Sequence, residues 1–123
     1  MTPHLRADNS AAAMWSTDTA SQSLGMRSDH IAPGAADLSM VVTAAMLNGH
    51  GIAHGGYIFT LADSAFAFAC NSYNQLAVAQ QNQISYLAPG KAGERLQAAA
   101  REQSRTGRAG VYDVTVTGEV GRT

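Results

Sequence analysis

The sequence predicts an α+β domain in which one long apolar helix is set against a sheet of antiparallel strands. Two patterns carry that prediction. From Gly55 to about Ser72 apolar residues fall on every side of the helical wheel, which marks a helix enclosed by the rest of the fold. Before and after it the period changes to two, the signature of half-buried strands. A short helix, a strand, the long helix and then a run of strands joined by tight turns place one helix on the sheet.

In chain order, Asp8-Asn9-Ser10 offers N-cap chemistry ahead of an alanine-rich stretch, so a helix is expected from about Ser10 to Leu24, anchored by Trp15 and Leu24 and stopped by Gly25. Pro33-Gly34 makes a turn. From Ala36 to Met46, Leu38, Met40, Val42, Ala44 and Met46 share one face, with Asp37, Ser39 and Thr43 on the other, which predicts a strand. The loop from Leu47 to His54 leads into the long helix. Further strands are expected over Ala77–Ala88, ending at Pro89-Gly90, and over Glu94–Gln103. A third follows over Ala109–Thr117, where Tyr112, Val114 and Val116 alternate with Asp113, Thr115 and Thr117.

Length and composition bound the function. The 123 residues hold one domain, 1–123, whose first 24 residues are the helical segment, with no internal repeat and no dividing linker. A net charge of −1 argues against a nucleic-acid partner. Six of the eight basic residues (Lys91, Arg95, Arg101, Arg105, Arg108, Arg122) follow position 90, either as a solvated strand face or as a site for the anionic tail of a ligand. Cys70 is the only cysteine, which excludes a disulfide framework and fits a reducing, cytoplasmic setting. Met1–Ala13 lacks the regions of a signal peptide, and the longest apolar run is too short, and broken by Asp63, for a membrane span.

Asp63 is the residue that asks for an explanation. It lies two turns inside the apolar helix with no Lys, Arg or His within four residues, and an ionised carboxylate there is costly unless it is paired or faces a cleft. The loop before the helix, Asn48-Gly49-His50-Gly51-Ile52-Ala53-His54-Gly55-Gly56, is dense in glycine. It serves either a tight turn or the close approach of a ligand to the helix N-terminus, whose free N–H groups can hold an oxyanion. Eight residues separate Gly55 from Asp63, about 12 Å along a helix axis. A base and an oxyanion donor acting on one carbonyl must each lie within roughly 3 Å of the reacting atoms. Two copies of the helix, antiparallel about a two-fold axis near Phe59, would bring Asp63 of one protomer beside Gly55 of the other. An enzyme built this way shares its active sites between subunits.

His50 and His54 stand four apart, as zinc ligands on a helix do, but the intervening Gly51-Ile52-Ala53 and the want of a third ligand argue against a metal site. His54 is placed as a polar group at the helix mouth, able to orient a carbonyl or a water. Asn48 could do the same, and either residue could instead simply hold the loop.

Asn48-Gly49-His50, His54-Gly55-Gly56, Leu61-Ala62-Asp63 and Asn71-Ser72 together resemble the hotdog-fold acyl-CoA thioesterases of the phenylacetate-degradation (PaaI-like) branch. The likeness continues through Ile84-Ser85-Tyr86-Leu87-Ala88-Pro89-Gly90, Gly93-Glu94-Arg95-Leu96 and Gly110-Val111-Tyr112-Asp113-Val114. The resemblance implies an antiparallel sheet wrapped around the central helix, and dimers that pair into tetramers. It implies Asp63 as the catalytic carboxylate, acting as general base or nucleophile, and Gly55 as the N–H donor to the thioester carbonyl. His54 and Asn48 would position thioester and water. The substrate implied is a phenylacetyl- or hydroxyphenylacetyl-CoA; no metal or organic cofactor is called for, since CoA belongs to the substrate. Phe66 and Tyr57 are candidates for the acyl pocket. Members carry a further strand after the one equivalent to Val111–Val116, whereas this sequence stops at Thr123. Two other readings keep the fold: an acyl-thioester dehydratase with His54 as base, and a non-catalytic acyl-CoA-binding module, which leaves Asp63 without a purpose. A phosphate-binding loop lacks the Lys-Ser/Thr it needs.

Overall fold

The computed structural model describes residues 2–75 and 77–118. They form α1 (Pro3–Trp15), α2 (Thr19–Ser23), β1 (Arg27–Ala32), β2 (Ala35–Val41), α3 (Gly55–Cys70), β3 (Arg95–Thr106) and β4 (Ala109–Thr117), with a 3₁₀ turn over Ala44–Met46. The strands make one antiparallel sheet in the order β1-β2-β3-β4, and α3 lies across β2, β3 and β4.

The sheet receives the helix through a face of small side chains. Cross-strand partners put Ala36 beside Ala100 and Val114, Leu38 beside Ala98 and Val116, and Met40 beside Leu96. Alanine is a poor strand former, but Ala98 and Ala100 leave the middle of this face low enough for Leu61, Ala65, Phe68 and Ala69 of α3 to bury against it. From the side, Trp15 of α1 meets Phe68 with ring centroids 6.4 Å apart. Ser21 of α2, fully buried, bonds Asp18 Oδ2 at 2.7 Å and Ser64 Oγ of α3 at 2.8 Å.

That seat corrects the expectation of a fully enclosed helix. Leu61, Ala62, Ala65, Phe68 and Ala69 are buried, but Gly56 and Asp63 are exposed, and Phe59, Thr60, Ala67 and Cys70 between and beyond them only half-buried. Apolar residues all round the wheel here reflect a sheet on one face and an uncovered stripe on another.

The N-terminal helix begins earlier than expected and is two helices. Thr2 accepts the Leu5 N–H and Pro3 occupies the first turn, where its missing N–H costs nothing. The chain then breaks at Ser16–Asp18, where Asp18 caps α2 by accepting the Ser21 N–H at 3.0 Å. The strand expected over Ala36–Met46 ends at Val41 and gives way to the 3₁₀ turn, so the apolar alternation outlasts the strand. β1 was not foreseen, because Arg27–Ala32 is largely exposed and bulged between Ser28 and His30, which breaks its period. The Pro33-Gly34 turn joins it to β2, with Gly34 at φ +70°. β4 spans Ala109–Thr117 as its alternation predicts.

The strand expected over Ala77–Ala88 is a correction of another kind. These residues pair with no strand among the described residues. A strand is a pairing relation, and among the described residues a groove of about 240 Å³ lies between part of this region and β4. Ile84–Gly90 form one wall, Val114–Gly118 the other, and Ile58, Ala62 and Leu96 the floor. Val78, Ile84, Tyr86 and Leu87 are accordingly exposed. The further strand that family members carry after the one equivalent to Val111–Val116 would fall on residues 119–123, which lie outside the described residues. No helix among the described residues is long and apolar enough to cross a membrane.

Phe68 joins the sheet, α3 and α1 at one point and is 2 % exposed. Phe68→Ala is expected to destabilise the fold by about 3–5 kcal/mol, measured by chemical denaturation.

Candidate active site at the mouth of the central helix

His54 is the residue that starts α3. Its backbone is extended (φ −62°, ψ 132°), and its Nδ1 accepts the Gly56 N–H at 3.0 Å while its carbonyl accepts the Tyr57 N–H at 3.0 Å. Its own N–H donates to the Met46 carbonyl and the Ala53 N–H to the Gly90 carbonyl, both at 2.8 Å, so two loops clamp the helix entrance. With Nδ1 accepting, a neutral imidazole carries its hydrogen on Nε2. His54 is exposed, so Nε2–H is offered to whatever occupies the mouth.

Gly55 follows at the first helical position, where no carbonyl of the preceding turn serves its N–H. Here glycine is required by crowding. A Cβ at Gly55 would come within 3.0–3.2 Å of the Tyr86 ring, whose hydroxyl donates to the Gly55 carbonyl at 3.0 Å. The helix end thus offers a Gly55 N–H unspent among the described residues, the positive end of α3 and the Nε2–H of His54, groups of the kind that stabilise a carbonyl oxygen gaining charge.

Asn48 is committed to its loop: Oδ1 accepts the N–H groups of His50 at 2.9 Å and Ile52 at 3.4 Å. That leaves its Nδ2 as the only part of the side chain available to a substrate. His50 is exposed, and no cluster of three or more His, Cys, Asp and Glu able to hold a metal occurs among the described residues.

Asp63 sits two turns along α3 on the uncovered stripe, with no hydrogen bond or ion pair among the described residues. Partial desolvation with no compensating cation raises its carboxyl above the ordinary 3.8. Its neighbour Ser64 turns away to Ser21. One regular helix carries both Gly55 and Asp63, so their separation of about 12 Å holds in the folded chain. Cys70 lies two turns further on, where burial first, then the charge of Asp63, push its thiol up to about 11 and disfavour the thiolate.

Of the basic residues of the last third, Arg105 and Arg108 line one cavity beside Cys70 and Tyr112, away from the helix mouth, and the others are dispersed. Arg101 grips Asp37 with contacts of 2.7 and 3.2 Å, Arg95 reaches Ser39 Oγ at 3.1 Å, and Arg105 lies 3.8 Å over the Tyr73 ring. Lys91 and Arg108 are exposed, and Arg122 lies outside the described residues. Phe66 and Tyr57 do not line the groove beside Gly55; Phe66 meets Tyr112 edge-on and Tyr57 meets His54. Tyr86 is the neighbour of Gly55 that the sequence signals poorly, since its contact with Gly55 spans 31 residues of chain.

Comparison with known proteins bears on the family and the fold. The family model described as Thioesterase superfamily matches residues 50–123. The acyl-coenzyme A thioesterase PaaI of Escherichia coli (strain K12) is 42% identical over 118 residues, covering 96% of this chain and 84% of the relative. The solved structure of the E. coli PaaI protein, from the phenylacetic acid degradation operon, superposes with a TM-score of 0.97 at 40% identity, covering 98% of this chain and 88% of that one. A Streptococcus mutans protein solved with acetyl CoA bound superposes with a TM-score of 0.75 at 35% identity, over 80% of this chain and 79% of that one. The sheet and its central helix are the hotdog fold, and the chain belongs to the thioesterase superfamily as a thioester hydrolase.

Proposed function

We propose that the chain hydrolyses aryl-acyl-CoA thioesters, such as phenylacetyl- or hydroxyphenylacetyl-CoA, at sites shared between the two protomers of a homodimer, with dimers pairing into tetramers. The observation that carries this reading is the placement of Gly55 and Asp63 on one helix, too far apart to act on one carbonyl, with Asp63 exposed and Gly55 half-buried at the helix mouth. The uncovered stripe of α3 and the exposed apolar side chains of 77–88 support association. The aryl-acyl group is supported by the E. coli relative, and CoA by the relative bound to acetyl CoA. The lone free cysteine fits a cytoplasmic setting.

In this mechanism the thioester carbonyl oxygen accepts hydrogen bonds from the Gly55 N–H and His54 Nε2–H. Asn48 Nδ2 helps to hold the water. Asp63 of the partner subunit takes a proton from that water, whose oxygen attacks the carbonyl carbon. The tetrahedral oxyanion collapses, the C–S bond breaks, and the departing sulfur takes the proton back from the carboxyl. A raised carboxyl suits a proton acceptor better than an ordinary one.

Gly55 provides the direct test. Proline is tolerated at the first helical position, where it removes the N–H and adds its ring, and His54 already has the extended backbone that a following proline needs. Gly55→Ala adds the same Cβ against Tyr86 but keeps the donor. Gly55→Pro is expected to have a kcat about 10²–10³-fold below that of Gly55→Ala, read by free-thiol release; equal rates would remove the N–H from the mechanism.

Asp63→Asn should lower kcat by at least about 10²-fold without changing the oligomer. Mixing it with Gly55→Pro should restore activity, because one site of each mixed dimer is then intact. Asp63 also has a stability sign. A carboxyl held above 3.8 favours the protonated folded state, so its contribution is present in full below 3.8 and lost as pH rises through the raised value. Asp63→Asn should therefore melt at a higher temperature than wild type at pH 7, with the gap closing toward pH 3.5.

Across a panel of thioesters, kcat/KM should be highest for phenylacetyl- and hydroxyphenylacetyl-CoA. Equal values for linear acyl chains would overturn the aryl preference.

A further inference from the structure

Tyr86 belongs to none of the roles above, yet it touches the helix mouth more closely than any other side chain outside the entrance loop. Its ring lies where a Cβ of Gly55 would be, with Cζ, Oη and Cε1 at 3.0, 3.1 and 3.2 Å from that position. Its hydroxyl donates to the Gly55 carbonyl at 3.0 Å. That carbonyl and the Gly56 N–H belong to one peptide unit, and the Gly56 N–H donates to His54 Nδ1, also at 3.0 Å. The groups therefore form a directed chain from the Tyr86 O–H, through the Gly55–Gly56 peptide, to His54 Nδ1. Nε2–H of His54 is its free end.

We propose that Tyr86 is a positioning residue of the thioesterase site, which through the Gly55–Gly56 peptide holds His54 in the tautomer that presents Nε2–H to the substrate carbonyl. The inference rests on the role given to His54 above and deepens it. A peptide whose carbonyl accepts a hydrogen bond becomes a better N–H donor, since bonds in such chains polarise one another. A stronger Gly56 donor keeps Nδ1 an acceptor and leaves the imidazole hydrogen on the outward nitrogen. The same hydroxyl pins the segment 77–88, which pairs with no strand among the described residues, to the helix at the point where chemistry occurs. Gly55 is then glycine for a reason separate from its N–H: any side chain there would push Tyr86 off the carbonyl it polarises.

The test is Tyr86→Phe, which keeps the ring and removes the hydroxyl at a site that is 52 % exposed, so the fold is not at risk. The tautomer is read from nitrogen-15 shifts of histidine-labelled protein, with His54 assigned among the four histidines by its loss in His54→Gln. Wild type is expected to show His54 Nδ1 unprotonated and Nε2 protonated at a pH where the ring is neutral. Tyr86→Phe is expected to show a mixture of tautomers and a kcat about 3- to 10-fold lower, with KM within about twofold. An unchanged tautomer overturns the proposal whatever the rate does, and so does a changed tautomer with an unchanged kcat. A wild-type protein inactive on every thioester would sink the function proposed above instead, and the tautomer measurement would still decide whether the relay exists.

Discussion

The seating of α3 on the alanine face of the sheet is the interaction from which the other features follow. A helix packed on one side only can rotate about its axis unless something breaks the symmetry of the contact. Here Phe68 is held between the sheet and Trp15, and Ser64 is tied to Ser21 and through it to Asp18. These contacts fix which residues of α3 look outward. The outward ones are Gly56 and Asp63, with Phe59, Thr60, Ala67 and Cys70 half-covered along the same stripe. The orientation of the carboxylate is therefore a product of core packing about a helical turn away from it.

The mouth of the helix shows a division of labour between neighbouring residues that looks redundant on paper. His54 caps the helix with one ring nitrogen and, in the mechanism proposed above, offers the other to the substrate, while Gly55 leaves its N–H unspent among the described residues. A serine or aspartate cap would close the helix as well, but with no second donor pointing outward. The choice of histidine, and the loop glycines ahead of it, suit the proposed mechanism, in which this helix end receives a carbonyl as well as beginning a helix. Asp63 shows the opposite economy. A carboxylate left partly desolvated with no cation nearby detracts from stability, and such residues persist where function requires them.

How much of this was legible in the sequence depended on whether the signal was local. The span of β4 was readable from the alternation of Tyr112, Val114 and Val116, and the start of α3 from His54-Gly55-Gly56. The apolar wheel around Asp63 showed that a carboxylate had been placed in costly surroundings. Its one-sided exposure was not legible, because that depends on which face the sheet takes. β1 escaped notice because a bulged, exposed edge strand has no period to read. Ala77–Ala88 misled in the other direction, because its composition suits a strand while pairing requires a partner that composition cannot supply. The contacts of Tyr86 with Gly55 and of Ser21 with Ser64 join residues 31 and 43 positions apart, and no local pattern encodes them.

Cys70 has a consequence for life alongside the reaction product. Each turnover of a thioester hydrolase sets free a sulfhydryl, and such products coexist with their oxidised, mixed-disulfide forms. Exchange with those forms requires a thiolate, and burial keeps the Cys70 group protonated up to about 11. Burial and the nearby carboxylate of Asp63 both disfavour the thiolate that such exchange needs, on the same uncovered stripe two turns from the acid.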